Sequence, residues 1–262
     1  MPELRDHLSH LVDTLEHRHS TGSDLPPSAS TGFGRVDQLT GGLGSGGWLI
    51  RGAAGTGTTA VLATFVSDLA FRPERAVIQL VTADLSPHEL TLRLVACSVG
   101  IPLDRLRAEE LAPADWPRLT LACRALSTPD VRITDARGWS QPELDLWCVD
   151  QRPADAVPTR SWLVIDAIDR LSTPGVLSLP RLERLSGRQV VATTSDTRTH
   201  HSAAATVTTL WVDELGHRTI AIDRARWSAS TGHPVGISIH ATTLRARDHA
   251  GPLPGPGQLQ LG

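Results

Sequence analysis

The spacing of apolar and polar positions changes period along the chain and predicts its elements in turn. Residues 3–19 place Leu4, Leu8, Leu11, Val12 and Leu15 at helical spacing, with Arg5, Asp6, Asp13, Glu16 and Arg18 elsewhere around the wheel. This predicts an amphipathic helix whose single apolar stripe needs a partner. Ser, Thr, Gly and Pro then dominate Ser20 to Gly34 and predict a linker. Beyond Gly47, short apolar runs alternate with helical patterns over Trp48–Ile50, Thr59–Phe71, Ala76–Thr82 and Pro87–Val99. That alternation is the βαβ rhythm of a parallel sheet. Further strands are predicted at Val131–Thr134, Ser161–Asp166, Gln189–Thr194, Thr208–Val212, Thr219–Ile222 and Val235–Ile239. Ser86-Pro87-His88-Glu89 and Ser140-Gln141-Pro142-Glu143 carry the S-x-x-E capping signature of helix starts.

These patterns divide the chain into an interaction helix (1–20), a flexible linker and domain approach (21–34), an α/β domain (35–248) and a Pro/Gly tail (249–262) expected to be disordered. At 262 residues and 40% hydrophobic content, the length permits one large α/β core. The net charge of -3 argues against a protein that coats nucleic acid by bulk positive charge. Cys97, Cys123 and Cys148 are odd in number and lack C-x-x-C spacing, so neither a disulfide framework nor a zinc site is suggested. With no apolar signal core and no apolar run of about 18 residues, the expectation is a soluble, cytoplasmic protein.

Candidate chemistry centres on Trp48-Leu-Ile-Arg-Gly-Ala-Ala-Gly-Thr-Gly-Thr-Thr59, a strand running into a glycine-rich loop. The phosphate-binding loop G-x-x-x-x-G-K-[ST] uses backbone N–H groups to cradle phosphates, Lys to reach the terminal phosphates and the hydroxyl to hold Mg²⁺. Gly52, Gly55, Thr56, Gly57 and Thr59 fit that loop, and Thr58 stands where the lysine belongs. Glycine-rich strand-to-helix turns also occur without ligands, but the register and the apolar helix that follows favour a phosphate cradle. All 25 basic residues are Arg, so a bias that merely exchanges Lys for Arg would have kept a cation at position 58. Trp162-Leu-Val-Ile-Asp166 is an apolar strand ending in a carboxylate, the Walker B arrangement for Mg²⁺, or else a buried strand closed by a turn residue.

The chain as a whole resembles the C-terminal RecA-like ATPase domain of DnaB-type replicative helicases. The resemblance rests on Ser30-Thr-Gly-Phe-Gly-Arg-Val-Asp-Gln-Leu-Thr-Gly-Gly-Leu43, the loop above, Thr82-Ala-Asp-Leu-Ser86, Asp115-Trp116, Ile133-Thr-Asp135, Val164-Ile-Asp166 and Val190-Val-Ala192, in that order. It covers roughly residues 3–240. It implies a P-loop NTPase core with a mostly parallel central sheet, ATP and Mg²⁺ as cofactors, a hexameric ring and a role in DNA unwinding. The helix at 3–19 matches the family's linker helix, which packs on the neighbouring subunit.

The departures fall on the chemistry. The family's phosphate lysine corresponds to Thr58, its catalytic glutamate to Asp84, one methylene shorter, and its phosphate-sensing glutamine to Ser195. A misplacement of about 1 Å can cost on the order of 100-fold in rate, so Asp84 is read as a compromised base. Thr59 and Asp166 remain as Mg²⁺ holders. Arg224-Ala-Arg226 occupies the family's K-x-R, whose two cations reach the adjacent subunit's nucleotide; two solvated arginines at a strand end is the plainer alternative.

The segments matching the family's DNA loops, Ile168–Ser186 and Thr197–Thr206, are short, and the second holds only Arg198 as a fixed cation. Single-stranded DNA binding is therefore expected to be weak. His200-His201 and His17-Arg18-His19 lack carboxylate or thiolate companions and are read as solvated. The expectation is a degenerate ATPase domain that binds nucleotide weakly and hydrolyses it poorly, in a homo-oligomeric ring or bound to a DnaB-type helicase through its first helix. Two alternatives stand beside it. One is an active ATPase whose missing cation comes from elsewhere, such as a neighbouring subunit's arginine. The other is an inactive structural or regulatory module that caps a helicase ring.

Overall fold

Burial alternates along each central strand while both alternating sets stay apolar. In β1 (Trp48–Arg51), Trp48 and Ile50 join one hydrophobic cluster and Leu49 joins another. In β4 (Ser161–Asp166), Trp162 and Val164 join the first cluster while Leu163 and Ile165 join the second. A strand apolar on both sides must be covered on both sides, the condition of parallel sheets in α/β proteins. That explains why these segments read as continuous apolar runs.

A computed structural model describes residues 30–40, 42–43, 47–71, 76–127, 130–152, 161–172, 178–195, 206–212, 218–225 and 234–248, with positions 8, 9, 12, 13 and 16. Its other strands are β2 (Val77–Thr82), β3 (Val131–Asp135), β5 (Gln189–Thr194), β6 (Thr206–Val212), β7 (Arg218–Ala225), β8 (Pro234–Ile239) and β9 (Ala246–Asp248). The helices are α1 (Gly34–Thr40), α2 (Thr58–Ala70), α3 (Pro87–Val99), α4 (Leu103–Ala108), α5 (Asp115–Leu126), α6 (Gln141–Asp150) and α7 (Leu179–Ser186). The nine strands form one sheet in the order β3-β2-β4-β5-β1-β6-β7-β8-β9. β3 through β6 pair in parallel, and β7, β8 and β9 add antiparallel strands at one side. The RecA-like α/β fold with a mostly parallel sheet is the one the sequence predicts.

Helices α2 and α3 cover one face, sending Val61, Phe65, Leu90, Leu94 and Cys97 into the first cluster. Phe65 meets Trp162 edge-on, with ring centroids 5.5 Å apart, a contact worth about 0.5–1.5 kcal/mol beyond its buried area. Helices α6 and α7 cover the other face with Leu144, Cys148, Leu179 and Leu182. Gly47 leaves room for α7: a Cβ there would stand 2.5 Å from the Leu179 Cβ.

The folded part begins ahead of residue 35, since Phe33 is in the core and Thr31 binds Asp37 through its N–H and its hydroxyl. Of the two predicted capping boxes, Ser86 makes the side-chain half, its Oγ accepting from the Glu89 N–H at 3.1 Å. At Ser140 the Glu143 carboxylate accepts from the Ser140 N–H at 2.7 Å, which with the Ser140 hydroxyl holds that carboxyl below its usual range.

Leu8, Ser9, Val12, Asp13 and Glu16 are helical and exposed. The rest of the predicted first helix, most of the linker, the histidine pairs and the Pro/Gly tail lie outside the described residues. No helix among those described is long and apolar enough to cross a membrane.

Candidate nucleotide site

Register brings the strand ends together at one edge of the sheet. Thr82 is level with both Asp135 and Asp166, and Arg51 is level with Thr194. The loop leaves this edge from β1, a central strand, and ligands of open α/β sheets collect at the carboxyl ends of such strands. The Gly52 N–H donates to the Thr194 carbonyl at 3.1 Å, anchoring the loop's first residue to β5. Thr56 closes the turn, its N–H and hydroxyl donating to the Ala53 carbonyl at 3.1 and 2.8 Å.

Gly55 at φ 84° and Gly57 at φ 103° occupy the left-handed region, where a side chain would be strained. Gly57 is the N-cap of α2 and brings no side-chain acceptor to the helix start. Its carbonyl takes the N–H groups of Ala60 and Val61. A helix start left without a capping side chain presents its first-turn N–H groups and the positive end of its dipole to an anion.

Beneath the loop, Thr59 Oγ1 donates to Asp166 Oδ1 at 3.1 Å, and Thr193 Oγ1 donates to the same oxygen at 3.0 Å. Asp166 is 1% exposed, and its Oδ2 is buried with no hydrogen-bond partner. Burial pushes its carboxyl above the usual range, against the two hydroxyl donors that act to lower it. A buried carboxylate with one oxygen unspent is a costly group that a cation would satisfy. Thr193 also fixes the chain beyond Asp166, accepting the N–H of Ala167 at 2.8 Å while Ala167 sits in the left-handed region at φ 57°. Strain of that kind collects where surroundings over-determine a site.

The remaining predicted residues are placed less directly. Asp84 is exposed just past β2, with Arg170 Nε 3.7 Å from its carboxylate. Ser195 follows β5, and its N–H and hydroxyl both donate to Asp169. Thr58 opens α2, half-buried, beside Thr59. Arg224 lies in β7 opposite Val207 in its backbone register, and Arg226 lies outside the described residues. Asp135 is occupied by Arg137, which holds its carboxyl down to about 2.

Sequence reasoning did not single out Thr193 or Asp169. The signal for Thr193 was a polar pair closing an otherwise apolar strand. Asp169 is found only through the turn that carries the chain from β4 to a point opposite β5.

The residues present fit a divalent cation at Thr59 and Asp166 and phosphate oxygens over the loop. No group of three or more His, Cys, Asp or Glu is arranged to hold a metal among the described residues. The cation would thus depend on phosphate and water for its other ligands, as Mg²⁺ commonly does. Position 58 supplies no charge.

Fold and site together define a RecA-like P-loop domain. The family described as DnaB-like helicase C-terminal domain matches residues 28–187, and the chain belongs to that family. Among relatives, the replicative DNA helicase DnaB of Geobacillus stearothermophilus is 27% identical over 143 residues, covering 51% of this chain and 31% of that protein. The DnaB of Treponema pallidum (strain Nichols) is 31% identical over 150 residues, covering 57% of this chain and 33% of that protein. The chain thus aligns with about a third of the length of these relatives.

Among solved structures, an isolated ATPase domain superposes with a TM-score of 0.76 at 16% identity, over 92% of this chain and 98% of that one. A DnaB-like replicative helicase studied for its interactions with primase superposes at 0.71 and 16% identity, over 91% of this chain and 66% of that one.

Proposed function

We propose that this chain is a degenerate DnaB-type ATPase domain of DNA replication. In this reading it binds Mg²⁺ and ATP or ADP weakly, turns ATP over poorly, and works through contacts with a helicase ring. The observation that carries the reading is Asp166, buried, bonded to Thr59 at the start of the loop helix and left with one free carboxylate oxygen. Backbone N–H groups of the loop would hold phosphate, and Thr59 with Asp166 would hold Mg²⁺, which neutralises phosphate charge when bound.

Poor turnover follows from three neutral or shortened positions. Thr58 brings no ammonium, a charge-assisted contact worth about 1.5–3 kcal/mol in the ground state and more where charge develops. Asp84 is shorter than glutamate and faces Arg170, so the base that would take the water's proton is held aside. The Ser195 hydroxyl is committed to Asp169 rather than to a phosphate.

Ring contacts rest on family membership and on the helical, exposed positions Leu8 and Val12. Single-stranded DNA and the trans-acting roles of Arg224 and Arg226 belong to the same proposal.

Titration of the purified chain with Mg·ATP and Mg·ADP to millimolar concentration, followed by calorimetry, tests the reading. Saturable binding with negligible phosphate release is expected. Absence of binding would leave a scaffold built on a helicase fold, and rapid turnover would favour an active ATPase with a borrowed cation.

A further inference from the structure

With Thr58 neutral, a phosphate over the loop needs a cation from elsewhere in the chain. Helices α2 and α3 both leave the same edge of the sheet from parallel strands, so they run the same way. They touch where Thr64 Oγ1 meets Cys97 Sγ at 3.4 Å. At 3.6 residues per turn, Ala60 and Arg93 each lie about one turn nearer the helix starts, on the facing sides. Arg93 therefore stands beside the first turn of the loop helix, and helical side chains lean toward the N-terminus, here toward the loop. Its charge is also felt at Asp166, where it acts to lower the carboxyl's pKa.

The present partners of Arg93 leave it free to move. Its Nη2 donates to Glu89 Oε1 at 3.1 Å, and the same oxygen accepts from Arg107 Nη2. Two guanidinium groups thus share one carboxylate oxygen, so Glu89 keeps a counter-ion if Arg93 leaves. The Arg93 Nε is buried without a hydrogen-bond partner, a donor whose desolvation has not been offset. A planar guanidinium matches phosphate oxygens through two parallel N–H bonds.

We infer that Arg93 supplies, within the same chain, the positive charge on the nucleotide phosphates that position 58 no longer provides. This rests on the nucleotide-binding reading above and gives it a specific binding residue. Glu89 holds the guanidinium until phosphate replaces it, and Arg107 then keeps Glu89 paired.

The test is calorimetric titration of the full chain with Mg·ADP and Mg·ATP, comparing wild type with Arg93→Gln, Arg93→Lys, Glu89→Gln, Thr58→Lys and the double variant Thr58→Lys/Arg93→Gln. Arg93→Gln is expected to weaken binding roughly tenfold or more, the scale of a lost charge-assisted contact. Arg93→Lys should recover part of the loss. Thr58→Lys should gain more affinity in the Arg93→Gln background than in wild type, because the two cations serve one function.

Glu89→Gln breaks the same ion-pair network but keeps Arg93, so it should bind as well as wild type or better. Melting curves without nucleotide show that each variant is folded. Arg93→Gln binding within twofold of wild type, or Glu89→Gln binding as weakly as Arg93→Gln, overturns the assignment alone. No saturable binding by wild type removes the nucleotide reading and the assignment with it.

Discussion

Thr59 and Asp166, 107 residues apart in the chain, are joined by a 3.1 Å hydrogen bond from the threonine hydroxyl to the carboxylate. That bond couples the start of the loop helix to the end of β4, and it gives the site its only buried acid with an unspent oxygen among the described residues. Because Asp166 is both costly to the nucleotide-free fold and fitted to a cation, its replacement separates stability from binding.

Asp166→Asn should raise the melting temperature of the nucleotide-free chain near neutral pH by a few degrees. The amide oxygen still accepts from Thr59 and Thr193, and no buried charge remains. The same variant should lose any increase in melting temperature that Mg·nucleotide gives the wild type. A lower melting temperature for the variant at neutral pH would show that the carboxylate is better compensated than its contacts indicate.

Stability and binding at this residue should run oppositely with pH. Burial raises the Asp166 pKa in the folded state, so its favourable contribution is present at acid pH and is lost as pH rises through that raised value. The stability advantage of Asp166→Asn over wild type should therefore grow between acid and neutral pH. Mg²⁺ needs the ionised form, so Mg²⁺-dependent nucleotide affinity should rise over the same range. Denaturant midpoints and titrations at matched pH values check both trends.

Thr193→Val removes the hydroxyl that donates to Asp166 Oδ1 and accepts the Ala167 N–H. Leaving that buried N–H and carboxylate oxygen short of partners should cost about 1–3 kcal/mol, read as a lower urea midpoint at unchanged slope. Thr193→Ser keeps the hydroxyl and should cost less, and equal losses from the two variants would assign the effect to the methyl group.

Gly57→Ala forces a side chain into a φ of 103° at the cap of the loop helix. The strain is about 1–2 kcal/mol, and relief would rotate the first-turn N–H groups away from the phosphate position. Stability and nucleotide affinity should both fall in this variant. Gly47→Ala should lower stability by about 1–3 kcal/mol through collision with Leu179 on α7, far from the phosphates. It should change affinity little in calorimetric titration.

Much of this is legible along the chain because period and punctuation are local properties. β1, β2, β4 and β5 lie where the apolar runs place them, and Ser86 and Ser140 mark helix starts at the predicted residues. β9 has no such signal: three residues, Ala246–Asp248, are too short for a period, and their place is fixed by distant bonds from Ala246 N–H to Thr64 and from Arg35 N–H to Asp248. Helices α4, α5 and α7 are likewise absent from the sequence reading, since their burial is one-sided and brief.

By itself the sequence determined the order of strands and helices, the glycines that permit a left-handed loop, and the loss of the lysine at position 58. These depend on residue type and near neighbours. The tertiary structure alone decided that Thr193 shares the Asp166 oxygen with Thr59, that Asp169 claims Ser195, and that Arg93 stands beside the loop helix with a buried donor unspent. Parallel pairing and helix packing set those relations by bringing together residues that no spacing in the chain connects.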